Sequence, residues 1–468
     1  MTRYTLTILE EYRTVLQESL LRDDREYAAI LLCGRSKTID PWTGELEERF
    51  LVREIIEVDP AAFYERTPTR ITWSTTPFFN ALKRAEERNF AVAVAHSHPS
   101  GSLGFSTADD VAERELFQIA FDRLESDRPH LSLVMDRKGD LIGRAYGPDL
   151  KPRSVDMIRI IGERWRFVYP EAGSIATPEF DRQVRAFGQQ STVDLAHLRI
   201  GISGCGGMGS AVAMLLARIG VRRLALLDFD HVDESNLNRL HLSTRIDANL
   251  SRLKVDVLGK AIAGIALPIS IVRLPCHLED AQARNALRSC DIIFGCTDDH
   301  LGRNILNRLA HFYLIPVIDL GLLIEPNDAG GYDVFDGRVT VVQPGYPCQV
   351  CRGLILPNVM LAEGLRRQDP DLYEERRRAG YVVGVPEPSP VVVTFTTEVA
   401  TMAVNELFQR LNGFRGKDGA SSERVRRFDG VKEQDALPAG KSRPGCPLCD
   451  RRRYDGRGDM APFLDIAI

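Results

Sequence analysis

No stretch of the 468 residues is long and apolar enough to cross a bilayer, and the opening "MTRYTLTILEEYRTVLQESLL" carries acids where a secretory leader needs an unbroken apolar core. The expectation is a cytoplasmic protein with no membrane partner. Excess positive charge is missing too: 60 Lys and Arg stand against 65 Asp and Glu, a net charge of −5. Without a basic footprint, nucleic acid is not an expected partner. Cysteine is sparse. The nine present are an odd number, and four of them form two CxxC pairs, which disfavours a disulfide framework and favours metal binding. Internal repeats and low-complexity tracts are absent as well. What remains is 44% hydrophobic and 27% charged, the balance of a globular chain long enough for two or three domains.

Two patterns divide the chain. Residues 1–150 alternate strand-like runs ("REYAAILLCG", "RFLVREIIEV", "NFAVAVAH", "HLSLVMD") with helical stretches, a mixed α+β pattern of small-domain size. Residues 151–178 show little periodicity and end in small residues, Gly and Pro, so a linker is expected. From 179 to 455 the order becomes β-α-β: "LRIGISG", "GSAVAMLLARIG", "RRLALLDFD", then "CDIIFGCTD" and "IPVIDLG". That predicts an α/β, doubly wound parallel sheet of Rossmann type. Residues 456–468 read as a tail.

The run "AVAVAHSHPSGSLGFSTADD" ends a strand on His96 and His98. Side chains at i and i+2 of a strand share a face, so the two imidazoles can grip one ion. Asp109 comes next, at a helix start, giving His-x-His plus a carboxylate with one position open, the ligand set of a catalytic zinc. Ser106 and Asp109 also spell a capping box, which accounts for those two residues but not for the histidines. The pattern H-x-H-P followed by S-x-x-D resembles the JAMM (JAB/MPN) metalloproteases. That resemblance, over residues 10 to 145, implies zinc on His96, His98 and Asp109, an oxyanion contact from Ser106, and Glu26 as the proton carrier, with Glu54 and Glu57 as alternatives. It also implies cleavage of peptide or isopeptide bonds at the C-terminus of ubiquitin-like proteins.

"RIGISGCGGMG" supplies Gly204, Gly206 and Gly209 as G-x-G-x-x-G between a strand and a helix, a phosphate-binding turn, with Asp228 closing the next strand. A nicotinamide dehydrogenase would share these features. The residues beyond Asp228 depart from that pattern: Asn236, Arg239 and Lys254, then Asp298 and Asn304, place cations and a carboxylate after successive strands, as polyphosphate chemistry requires. This order resembles the ubiquitin-activating superfamily, including the adenylyltransferases that activate sulfur carriers. The resemblance implies Asp228 on the ATP ribose, Asn236, Arg239 and Lys254 on the phosphates, and Asp298 on magnesium. Arg182, in "FDRQVRAFG", would reach the ATP of a second copy, which implies a homodimer.

Cys348 and Cys351 with Cys446 and Cys449 offer four thiolates for a structural zinc. The segment after the first pair, where thioester-forming relatives carry a cysteine, has none. Cys276 is the remaining candidate nucleophile, and a product that stops at the adenylate is expected. Together the halves imply a bifunctional enzyme that activates and cuts the tail of a ubiquitin-like β-grasp protein, in a bacterial-type conjugation pathway, antiphage by analogy, with a conjugating enzyme as further partner. The alternatives are a sulfur-carrier activator whose protease half matures the carrier, and a binding platform with one inactive half.

Overall fold

The computed structural model describes residues 2–101, 103–170, 178–382, 390–416, 419–428 and 435–460. Its first half contains β1 (Arg3–Leu9), α1 (Glu10–Leu20), β2 (Ala28–Ile39), β3 (Leu46–Glu57), β4 (Phe63–Thr67), β5 (Arg70–Trp73) and α2 (Thr76–Arg88). Next come β6 (Ala91–His98), α3 (Thr107–Leu124), β7 (His130–Asp136), β8 (Leu141–Tyr146), β9 (Pro152–Ser154), β10 (Met157–Ile161) and β11 (Trp165–Val168). All but β4 and β5 form one mixed sheet in the order β11-β10-β1-β3-β2-β6-β7-β8-β9. Two differences from the sequence expectation stand out. The opening residues, where the sequence reads as a helix ahead of the first strand-like run, begin with a strand, because Tyr4, Leu6 and Ile8 alternate and all three are buried. Residues 152–168, expected within a linker, supply three strands of this sheet, and β10 pairs in parallel with β1 from the far end of the half. "MIRII" is too short for periodicity to reveal, yet all five residues are buried.

The second half runs through α4 (Asp181–His197), β12 (Arg199–Ser203), α5 (Gly207–Arg218), β13 (Arg223–Leu227), α6 (Arg245–Asn249), α7 (Lys254–Ala263), β14 (Ser270–Leu274), α8 (Ala281–Arg288) and β15 (Ile292–Gly295). It continues with α9 (His300–Phe312), β16 (Val317–Pro326), β17 (Tyr332–Val342), α10 (Pro357–Gln368), α11 (Pro370–Arg378), α12 (Val393–Asn412), β18 (Glu423–Arg427) and β19 (Asp435–Ala436). The sheet order is β14-β13-β12-β15-β16-β17-β18-β19, parallel through β16 and antiparallel beyond it. Chain direction across the sheet reverses between β12 and β15, which opens a crevice at the carboxyl ends of those two strands. α12 packs on α5 and on β16, closing one face.

The halves share one core. Leu9, Leu51, Met157, Ile161 and Trp165 pack in the same apolar cluster as β12, β15 and β16. Between the sheets lies a buried ionic cluster. Arg199 pairs with Glu47, with Asp291 at 3.1 Å and with Asp40 at 3.1 Å, while Arg159 meets Asp291 at 2.7 Å and Arg49 meets Glu47 at 3.4 Å. The C-terminal segment adds a second tie. Expected to be a tail from residue 456, it instead forms a parallel bridge from Gly458 to Arg35, on the edge of β2 beyond the end of β6. Gly458 has a φ of +56° and a Cβ there would strike the Arg35 carbonyl, so only glycine fits. Residues 461–468 lie outside the described residues.

Candidate functional sites

In the first half, β6 is buried through Ser97 and delivers His96 and His98 to its open end. The two Nε2 atoms lie 3.1 Å apart, and Asp109 approaches them at 3.2 Å through Oδ1 and 3.5 Å through Oδ2. Tetrahedral zinc with nitrogen and oxygen ligands at about 2.0–2.1 Å sets ligands about 3.3 Å apart, a spacing close to these nitrogen–nitrogen and nitrogen–oxygen distances, so the three residues fit one such site. Asp109 also closes the capping box: Ser106 N donates to Oδ2 at 2.6 Å, and Asp109 N donates to Ser106 Oγ at 3.2 Å. Cap and ligand are thus one carboxylate. Burial works against its charge, but hydrogen bonds from His96 and His98 hold the carboxyl below the usual range. Asp109, through its hydrogen bond, raises the pKa of His98.

Helix α3 is held in place by Arg144 of β8, which pairs with Asp110 at 2.5 Å and Glu113 at 2.7 Å and lies over the Phe105 ring. Glu26 sits just before β2, beside the β6 end, where Tyr27 N donates to Ser97 Oγ and Ser97 N to Tyr27 O. It is buried, which raises its pKa, while His96 and His98 pull it back. Glu54 and Glu57 are drawn elsewhere, to Arg84 and Arg88 and to Arg22 respectively.

In the second half, the glycine turn fills the crevice at the reversal point. Gly204 has φ +90° and lies against the segment after β15, where a Cβ would come within 2.6 Å of Cys296 O. At Gly209 a Cβ would strike the Gly204 carbonyl, whereas at Gly206 it would meet only open space. The first and third glycines therefore serve packing, and the second leaves the start of α5 accessible. Gly206 is the N-cap of α5 and supplies no side-chain bond to the free amides there.

Asp228 directly follows β13, with Oδ2 accepting from Cys205 N at 2.6 Å and Oδ1 from Asp230 N at 2.8 Å. Burial raises its pKa, against the charge of Lys254. Lys254 pairs with Asp230 at 2.7 Å, a partner the sequence signalled only as the second acid of "DFD". Arg239 bonds the Ser235 carbonyl and Asn238 Oδ1. Asn236 is buried with its Oδ1 unpartnered, and since amide O and N are interchangeable assignments, the free position can donate to an anion. Asn304 is buried in α9. Asp298 is exposed, and its carboxylate has no ion pair or hydrogen bond among the described residues. Arg182 projects from the first turn of α4, while the adjoining Gln183 turns inward to the Ile219 carbonyl at 3.0 Å. A groove of about 440 Å³ lined by His197, Arg222, Arg223 and Ser270 opens on the opposite rim, at the strand starts, and holds none of these residues.

Cys348, Cys351, Cys446 and Cys449 converge although the pairs lie 98 residues apart. Sγ atoms of Cys348 and Cys446 are 3.8 Å apart and those of Cys351 and Cys449 are 3.4 Å apart. Zinc–sulfur bonds of about 2.3 Å in a tetrahedron predict edges of about 3.8 Å, so the four thiolates fit a structural zinc. Cys33, Cys205, Cys290 and Cys296 are buried, and burial raises their pKa; Cys276, half-buried, shifts the same way. A buried thiol of raised pKa is a poor nucleophile. No helix among the described residues is long and apolar enough to cross a membrane.

Comparisons with known proteins bear on the second half. The molybdopterin-synthase adenylyltransferase of Escherichia coli (strain K12) is 32% identical over 176 residues, 37% of this chain and 66% of the relative. The sulfur carrier protein ThiS adenylyltransferase of the same organism is 29% identical over 268 residues, 57% of this chain and 91% of the relative. Among solved structures, E. coli MccB with ATP aligns at a TM-score of 0.44 and 16% identity, covering 60% of this chain and 77% of that one. The family model described as the ThiF family matches residues 180–448, more than half of the 468. The chain belongs to the ThiF family.

Proposed function

We propose that the chain uses ATP to adenylate the C-terminal carboxylate of a ubiquitin-like sulfur-carrier protein. The observation that carries this is the open helix start at the reversal point, with Asp228, Asn236, Arg239 and Lys254 on the segment that follows β13 and Asp298 on the one that follows β15. The two E. coli relatives, both adenylyltransferases by name, support it. In the reaction a carboxylate oxygen of the terminal glycine bonds to the α-phosphorus of ATP, the α–β phosphoanhydride bond breaks, and acyl adenylate and pyrophosphate result. The amides at the start of α5 receive phosphate oxygens, with Gly206 allowing close approach. Arg239 and Lys254 balance charge that grows on the phosphates in the transition state. Asp228 holds the ribose. Asp298 would hold magnesium, which when bound supplies charge neutralisation along the phosphates. Arg182 serves the site of a second copy in a homodimer.

The first half is proposed as a zinc-dependent peptidase that trims the same tail. His96, His98 and Asp109 would hold the ion, which when bound supplies Lewis acidity to a carbonyl. Glu26 accepts a proton from water and passes it to the leaving amine. Ser106 Oγ donates toward the developing oxyanion. On this proposal residues 1–150 with the added strands to Val168 form the peptidase and 179–455 the adenylating domain. The likeness to the ThiS adenylyltransferase favours sulfur-carrier activation over a conjugation pathway with its conjugating enzyme, as does the lack of cysteine from 352 to 392.

ATP–pyrophosphate exchange tests the adenylating half. Exchange should appear with a β-grasp protein ending in glycine and vanish when that glycine is removed; exchange indifferent to the tail would refute it. For the peptidase, Glu26→Gln should cut trimming of a tail-extended precursor by about 10²-fold or more while zinc content stays. Equal trimming by both proteins would end that half of the proposal.

A further inference from the structure

Two helices begin at the reversal point of the second sheet, and their N-termini are treated in opposite ways. The start of α5 is open. The start of α9 is filled: Glu363 Oε1 accepts from His300 N at 3.2 Å, Glu363 Oε2 from Leu301 N at 2.8 Å, and Asp299 Oδ2 from Gly302 N at 3.1 Å. Asp299 is the local N-cap and takes Gly302 N, which leaves the amides of His300 and Leu301 to Glu363. Glu363 comes from α10, 62 residues further along the chain, and is itself only 8% exposed. Four residues on, Arg367 donates Nη2 to Asp299 Oδ2 at 2.8 Å and pairs with Glu279 in the loop after β14. Leu356 N, at the start of α10, donates to His300 Nδ1 at 3.1 Å. Every position from 299 to 301 is therefore held by α10 or its cap.

Asp298 immediately precedes this segment. Its carbonyl accepts from Arg303 at 3.3 Å, and its side chain has no protein partner among the described residues to fix it. The backbone that α10 grips sets where Asp298 stands at the rim. A carboxylate brought from afar and buried at this helix start carries a desolvation penalty that leaving the two amides to water would avoid. It also closes the α9 terminus to anions, which leaves α5 as the open helix start for phosphate.

We propose that Glu363 and Arg367 are positioning residues for the metal-binding carboxylate of Asp298, which couples the α10–α11 hairpin to the nucleotide's metal. This rests on the reading of residues 179–455 as a magnesium-ATP site. The test uses the full chain, Mn²⁺ as a spectroscopically visible substitute for magnesium, and the non-hydrolysable analogue AMPCPP. Glu363→Ala should weaken Mn²⁺–AMPCPP binding about tenfold and Arg367→Met about threefold, with metal-free AMPCPP binding unchanged. In an Asp298→Ala background, Glu363→Ala should then cost less than a further twofold, since the residue acts only through that carboxylate. An unchanged Mn²⁺–AMPCPP affinity in Glu363→Ala, or the same loss in both backgrounds, overturns the inference and leaves the adenylation proposal standing. Wild-type binding that ignores metal altogether overturns both.

Discussion

Charged side chains meet in two settings in this molecule, and the contrast separates structure from chemistry. Between the two sheets, Glu47, Arg49, Arg159, Arg199 and Asp291 are at most 1% exposed and answer one another. Burial alone would raise the Glu47 carboxyl, but Arg199, Arg49 and Arg159 outweigh it and hold it well below the usual range. At the carboxyl rim of the second sheet Asp298 is exposed, and among the described residues the Arg239 guanidinium bonds only to its own turn. Charges that hold the fold are spent on each other, while charges left with local or no partners are those free to meet a ligand.

The largest expected effect comes from breaking the buried set. Asp291→Asn leaves the guanidinium groups of Arg159 and Arg199 short of a counter-charge, so unfolding free energy should fall by about 3–5 kcal/mol. A urea melt within about 1 kcal/mol of wild type would show that the cluster does not work as described. At the rim the pattern should invert. Arg239→Ala should slow pyrophosphate exchange about 10²- to 10³-fold while moving stability by no more than about 0.5 kcal/mol. A variant that loses stability and activity together would erase the distinction.

His130 sharpens the comparison as a buried group with no counter-charge. It accepts from Val92 N at 3.2 Å and lies 4.9 Å from the Phe121 ring, and burial pushes its pKa down to about 4. Since the folded value lies below the unfolded one near 6.5, the neutral imidazole's contribution is full above pH 6.5 and is lost as pH falls through 4. The corresponding loss is about 3 kcal/mol by pH 4. His130→Leu should flatten that part of the pH profile while costing about 1–2 kcal/mol at pH 7 for the orphaned Val92 amide. Parallel profiles in the two proteins would rule this out. Smallest of all is the exposed pair Arg245–Glu234 at 3.0 Å, both side chains more than 70% exposed. Glu234→Ala should change stability by less than about 0.5 kcal/mol, and less again at high salt.

The devices legible in the sequence were those built within a few residues. His96 and His98 share a face because strand period is two, and β6 ends on them as expected. The glycine turn was readable from strand, loop and helix in immediate succession, and the packing around Gly204 and Gly209 gives it a physical cause. The strands at 152–168 were missed because a five-residue buried run carries no distinctive period. Glu363 was missed because nothing in "VMLAEGLRRQ" distinguishes a buried carboxylate at a distant helix start from a solvated one.

By itself the sequence determined the local geometry: which residues alternate, which turn needs glycine, which side chains sit close enough to share a ligand. Backbone sterics and side-chain period act over a few residues, so those outcomes are fixed wherever the segment lies. Tertiary structure alone decided that Arg199 seals one half to the other and that α10 grips the start of α9, and packing was needed to bring together the two CxxC pairs and to set Glu26 beside the histidines. Such contacts depend on which buried charge finds its counter-charge and which apolar surfaces close together, and those are properties of the packed whole.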